Sequence, residues 1–311
     1  MILMSSVKNE RVIGVLGAFA AYLIWGLQPI YWKIFSALDA WLVIAHRYCW
    51  TTLVLLVFII LTGQWNSLLE TVTELRRRHW HMTILVIVSF IAVINWWINI
   101  FAPMSGHVVE LGIGLFLTPL MSVMLGVIFF RERLNIIQKF SVILAVTGVA
   151  IMLIQFGNFP WIALGVSSTW AVYGALKKTI RLAPTVAIFL ESIFIVPFAL
   201  IFLAFADDAG FFAQLAELDV TAWALIGTGI LTSVPLITYT YATNYLPLNV
   251  LGFCQYLSPI LTLCLGVFIY GEHFGLKELF SMSFIWLSIA LYLIGQRFHA
   301  NFRFKGISAN S

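Results

Sequence analysis

The chain has 311 residues, 62% of them hydrophobic and only 10% charged, with a mean hydropathy of +1.00 and a net charge of +4. Soluble domains carry about a quarter charged residues, so this composition excludes a soluble enzyme, a nucleic-acid-binding protein and a secreted disulfide scaffold. What remains is a polytopic membrane protein.

Apolar runs long enough to cross about 30 Å of hydrocarbon recur ten times, over residues 12–33, 41–62, 80–101, 106–130, 136–155, 159–176, 184–205, 220–242, 248–270 and 276–296. Their lengths fit spanning helices rather than barrel strands, and helices satisfy their backbone hydrogen bonds without water. The expected fold class is therefore all-α. The first run follows Lys8 and Arg11 and contains Ala18-Phe19-Ala20, which resembles a signal-peptidase site, but the apolar stretch continues well past it. It reads as an uncleaved first helix.

The basic residues orient the chain. With a cytoplasmic N-terminus, the inside segments hold Lys8, Arg11, Arg76, Arg77, Arg78, Arg131, Arg133, Lys139, Lys177, Lys178, Arg181, Arg297, Arg303 and Lys305, which is 14 of the 17. Only Lys33, Arg47 and Lys277 fall elsewhere. The positive-inside rule then places both tails, 1–11 and 297–311, in the cytoplasm. The Arg76–Arg78 run reads as a topogenic inside loop, with lipid binding as the weaker alternative. The acidic loop of Asp207, Asp208, Glu217 and Asp219 falls outside. Cys49, Cys254 and Cys264 lie in apolar runs without metal-ligand spacing, and read as packing groups.

The chain repeats itself. Residues 111–132 and 251–272 share eight identities over 22 positions at an offset of 140, including Pro119/Pro259, Gly126/Gly266 and Glu132/Glu272. A weaker match links Trp25…Lys33 to Trp170…Lys178 at an offset of 145. Two five-helix units follow, 12–155 and 159–296. Five is odd, so the second unit is inverted, giving a 5+5 inverted repeat around a central cavity. That architecture is one of alternating-access transporters.

Several stretches also resemble a known family: Tyr22…Trp25-Gly26…Pro29…Lys33, His46-Arg47…Trp50, Asn95-Trp96, Leu111-Gly112…Pro119-Leu120 with Gly126…Glu132-Arg133-Leu134, Val234-Pro235-Leu236, and Leu251-Gly252-Phe253…Gln255-Tyr256…Pro259 with Tyr270-Gly271-Glu272. Together they are similar to permeases of the drug/metabolite transporter superfamily, in the EamA-repeat group of the RarD, chloramphenicol-sensitive, type. The resemblance implies a ten-helix bundle in a prokaryotic inner membrane that moves a small organic solute.

Ionisable groups inside spans are costly and point to function. Arg47 in the second span and Glu110 in the fourth lie at similar depth and are expected to pair, as a structural ion pair or as part of a solute site. Glu191 in the seventh span is expected to meet Lys177 or Lys178, with a proton-coupling role as the alternative. The neutral candidates for a wet cavity or for inter-helix bonds are Gln28, Asn95, Asn99, Tyr173, Tyr239, Gln255 and Tyr256. Pro29, Pro119 and Pro259 are expected to break helices and free carbonyls. Trp25, Trp96 and Trp170 are read chiefly as packing residues, with stacking on a solute second. Gly112, Gly114, Gly126, Gly252 and Gly266 allow close helix contact.

No phosphate-binding loop, His-Glu-x-x-His pair or Gly-x-Ser-x-Gly elbow occurs, so no cofactor, metal or enzymatic activity is expected. The reading is a secondary transporter of a small metabolite, amino acid or drug-like solute, with a channel or lipid flippase as the alternative. The partners are the solute and the bilayer, without nucleic acid; a monomer and a homodimer both fit.

Overall fold

A computed structural model describes residues 2–131, 134–156, 159–177, 179–180, 182–206, 219–246 and 254–308. Arg133, Lys178, Arg181, Asp207, Asp208, Glu217, Glu132, the start of the ninth expected span with Leu251-Gly252-Phe253, and Ser311 lie outside those residues.

Among the described residues every regular element is helical: α1 Ile2–Lys33, α2 Ala40–Leu61, α3 Trp65–Arg77, α4 His79–Met104, α5 Val108–Phe130, α6 Ile136–Phe156, α7 Trp161–Lys177, α8 Pro184–Phe205, α9 Val220–Tyr245, α10 Leu257–Cys264 and α11 Leu276–Ser308. Seven of them are long and apolar enough to cross a membrane: α1, α2, α4, α5, α8, α9 and α11. The helices α6, α7 and α10 fall at the expected fifth, sixth and ninth spans, where the described apolar stretches are shorter.

The sequence of α7 shows why its apolar run is weak. It carries Ser167-Ser168-Thr169, whose hydroxyls donate to the carbonyls of Ala163 (2.7 Å), Leu164 (2.6 Å) and Gly165 (2.6 Å), so their polarity is absorbed within the helix.

The helix α3 was not expected. Leu68, Thr71 and Leu75 form its buried stripe at helical spacing, while Glu70, Glu74 and three arginines face outward. It packs on α4 and α8, and only 13 residues make it too short to span.

The buried helices pack in pairs. The helix α1 contacts α9, α10 and α4; α7 contacts α5 and α4; α2 meets α8 and α9; and α6 packs along α11. Both members of the α6–α11 pair begin with a side chain three residues in that returns to the chain. Asn135 N donates to Gln138 Oε1 at 2.9 Å, and Gly275 N donates to Glu278 Oε2 at 2.7 Å. Along the pair, Ser141 Oγ donates to the Ser288 carbonyl at 2.8 Å and Ser288 Oγ to that of Ser141 at 2.6 Å. One step further along, a Cβ on Gly148 would lie 3.0 Å from the Ser281 carbonyl oxygen.

Glycine sets the closest approaches of α5. A Cβ on Gly114 would stand 2.7 Å from the Ala163 Cα on α7, and one on Gly112 3.0 Å from the Leu263 amide on α10. The opposed Gly266 would meet the Val109 amide at 2.9 Å. The helix α5 is thereby wedged backbone to backbone between α7 and α10.

Gly114→Ala is expected to force α5 and α7 apart and cost about 1–3 kcal/mol. Gly174→Ala, where nothing lies within 4 Å of the new carbon, is expected to be neutral or slightly stabilising. Thermal unfolding of the purified variants in detergent checks the contrast.

Candidate functional site

A cavity of about 210 Å³ lies between the helices. From α1 come Tyr22, Trp25 and Gln28; from α4, Asn95, Trp96 and Asn99; from α5, Thr118 and Pro119. Trp170 of α7 and Tyr239 of α9 face them, and Gln255, Tyr256, Ser258 and Pro259 close the wall around the start of α10. Of the residues expected to line a cavity, Trp25, Gln28, Asn95, Trp96, Gln255 and Tyr256 are there. Arg47, Glu110, Tyr173 and Glu191 are not among the lining residues; they stand behind the walls. Tyr22, Thr118 and Ser258 line the cavity without having been singled out for it, although Thr118 and Ser258 sit directly before the two matched prolines.

The expected pair of Arg47 and Glu110 does not form. Arg47 is buried, donates from Nε to Thr232 Oγ1 of α9 at 3.0 Å, and lays its guanidinium 3.9 Å from the centre of the Trp96 ring. Glu110 turns instead to α7, where Oε1 accepts from the amides of Ile162 at 2.9 Å and Ala163 at 3.3 Å. The physical reason is that the first amides of a buried helix have no intrahelical acceptor and carry the positive end of the helix dipole. A carboxylate one turn away meets both needs.

Glu272 does the same for α5, with Oε1 accepting from Val108 N at 2.8 Å and Oε2 from Val109 N at 2.6 Å. Gly271, at φ 64°, turns the chain so that this carboxylate can reach back.

Glu191 does meet Lys177. The ammonium lies 2.8 Å from Oε1, out of line for a hydrogen bond, and the Tyr173 hydroxyl donates to Oε2 at 2.9 Å. Lys177 also donates to that hydroxyl at 2.8 Å. Tyr173 stacks on Trp170, ring centres 5.1 Å apart, so this neutralised cluster touches the cavity only through an aromatic wall.

The amides act as inter-helix ties at the cavity edge. Asn95 Nδ2 donates to the Val166 carbonyl at 2.9 Å and to Thr169 Oγ1 at 2.8 Å, joining α4 to α7. Gln28 Nε2 donates to the Leu231 carbonyl at 3.3 Å, joining α1 to α9. That carbonyl lies four residues before Pro235, which has no N–H to offer it. Pro235, which the sequence reading left out, lies inside the continuous helix α9, and Pro29 and Pro119 lie inside α1 and α5, so contrary to expectation these prolines do not break their helices.

Aromatic rings fill much of the rest. Tyr22, Trp25 and Tyr239 pack with ring centres 5.3 to 5.8 Å apart. Among the described residues no Asp, Glu, Lys, Arg or His lines the cavity and no cluster of three metal-ligating side chains occurs. The arrangement suits binding of a small solute by stacking and hydrogen bonds.

Comparison with known proteins agrees with the membrane reading. Residues 12–154 and 160–294 each match the EamA-like transporter family. The chain is 34% identical over 282 residues to the protein RarD of Escherichia coli, covering 90% of this chain and 94% of that one. It is 33% identical over 291 residues to an uncharacterised transporter of Vibrio cholerae, covering 92% and 94% respectively. A solved crystal structure shares the fold with a TM-score of 0.57 at 18% identity, over 91% of this chain and 98% of that one.

Lys177→Met is expected to leave Glu191 buried without its cation and to cost about 2 kcal/mol. The figure falls below the ~3–5 kcal/mol of a fully buried pair because about a quarter of the Lys177 side chain, 24%, is exposed. The double variant Lys177→Met with Glu191→Leu should lose less than the two single losses added together. A double-mutant cycle on unfolding temperature measures the coupling.

Proposed function

From a chain that belongs to the EamA-like transporter family, within the drug/metabolite transporter superfamily, we propose a secondary transporter that carries a small organic solute through the central cavity by alternating access. The coarser statement, a multi-pass transporter of a bacterial inner membrane, follows from the family and the apolar helices. The finer reading is a ten-helix bundle of two inverted five-helix units, 12–155 and 159–296.

The observation that carries it is the pairing of cavity residues across the two units. Trp25 and Trp170 differ by 145 in number, Asn95 and Tyr239 by 144, Thr118 and Ser258 by 140, and Pro119 and Pro259 by 140, and all line one cavity. Helix contacts follow the same exchange: α5 packs on α7 as α10 packs on α1, and α4 on α7 as α9 on α1.

Crossed contacts in the α6–α11 pair add support. Ser141 meets Ser288, and their counterparts at an offset of 140, Ser281 and Gly148, meet in turn. Such reciprocal pairing is the mark of a two-fold axis. A two-fold axis in the membrane plane would leave the site between two units that can rock against each other. The carboxylate caps tie the units as well, Glu272 holding α5 and Glu110 holding α7.

Two measurements test this. A reporter fused after Ser311 is expected to be active only in the cytoplasm, and periplasmic activity would overturn the orientation. Metabolites inside and outside cells producing the protein should differ from those of cells producing Ser258→Trp, which fills the cavity. Identical profiles for the two would overturn the solute path.

A further inference from the structure

Arg47 is a cation that the described interior leaves uncompensated. Only 3% of its surface is exposed, and among the described residues no carboxylate lies within ion-pair distance. It donates to the neutral hydroxyl of Thr232 and also interacts with the hydroxyl of Tyr48. The guanidinium otherwise rests on aromatic faces, 3.9 Å from the centre of Trp96 and 5.3 Å from that of Tyr48. Glu191 pairs with Lys177 at 2.8 Å. Among the described residues none that lines the cavity is charged. Among the described residues Arg47 is the charged side chain packed directly against a lining residue, Trp96.

A second observation points the same way. The indole Nε1 of Trp25, on the cavity wall, is buried and has no acceptor among the described residues. An indole N–H can only donate, so a solute or water in the cavity can supply the acceptor.

We infer that Arg47 sets the charge selectivity of the cavity, and that the solute is a small organic acid held with its carboxylate within the field of Arg47 and within reach of the Trp25 N–H. The inference rests on the transporter reading above. A cation–π contact already occupies one face of Trp96. A solute cation against the ring would face the guanidinium across about 8 Å, and at an effective dielectric of about 20 that repulsion disfavours it roughly 30-fold against a neutral analogue. A carboxylate gains by a similar factor. Arg47 thus acts through Trp96 without touching the solute.

The test uses the purified full chain and three probes of one shape and different charge: benzoate, benzyl alcohol and benzylamine. Affinities are read from the rise of unfolding temperature with probe concentration. The chain is expected to bind benzoate roughly tenfold or more tighter than benzylamine, with benzyl alcohol between them. Arg47→Gln should collapse that ratio while leaving benzyl alcohol unchanged, and Arg47→Lys should keep it. Trp25→Phe, which does not depend on the buried charge for folding, should weaken benzoate more than benzyl alcohol, because the charged acceptor loses the stronger hydrogen bond. Equal affinity for the three probes, or an undiminished ratio in Arg47→Gln, overturns the charge selectivity and leaves the cavity as a solute site. Failure of all three probes to bind overturns both.

Discussion

In hydrocarbon a backbone amide or carbonyl left without a partner has no water to turn to, and each such group costs several kcal/mol. A helix that begins, ends or meets a proline inside this protein must therefore find its partners on another helix. The interior is organised by that need. Glu110 and Glu272 satisfy the first amides of α7 and α5. Gln28 meets the carbonyl that Pro235 frees, and Lys33 donates to the Pro103 carbonyl at the end of α4, at 3.1 Å. Each tie crosses between helices, so the polar groups that a membrane protein must hide also fix which helices are neighbours.

The same constraint explains where the cavity can exist. Unpaired polar groups are tolerated only where a solute or water can reach them, and the amides and hydroxyls of the cavity wall come from the seams between packed helices. The glycines of α5 keep its contacts with α7 and α10 at backbone distance away from that wall. Tight packing on the sides and an open centre follow from one distribution of small residues against prolines and aromatic rings.

Much of this was legible in the sequence because its signals are one-dimensional. Apolar length marks a spanning helix, and the recurrence of Pro119 and Pro259 at a fixed offset marks the repeat. What failed needed rotation about the helix axis. Depth along the chain put Arg47 and Glu110 at one level, but each residue turns the helix by about 100°, and the two side chains point to different neighbours. The pairing of Glu191 with Lys177 was legible because the two lie either side of a short turn. The helix α3 was hidden by its charges: Arg76 to Arg78 drew the segment into a topogenic loop, while the spacing of Leu68, Thr71 and Leu75 went unused. Pro235 stood in the quoted family stretches, yet its consequence required knowing that Gln28 faces α9.

In the proposed arrangement of two units, the shapes correspond while the charges differ. Arg47 and Glu191 occupy corresponding places, 144 residues apart, on the paired helices α2 and α8. One is a cation resting on Trp96; the other is a carboxylate already matched by Lys177 and Tyr173. If both positions carried neutral residues, the two units would be near equivalents, and a closed state on one side would have almost the same energy as its mirror on the other. Opposite charges, only one of them compensated, remove that equivalence. Under the proposed alternating access, rocking would move Arg47 relative to the membrane field, which acts on a displaced elementary charge with about 2.3 kcal/mol per 100 mV across the full membrane. Even a fraction of that span would make the balance between the two proposed closed states depend on membrane potential and on the charge of whatever occupies the cavity.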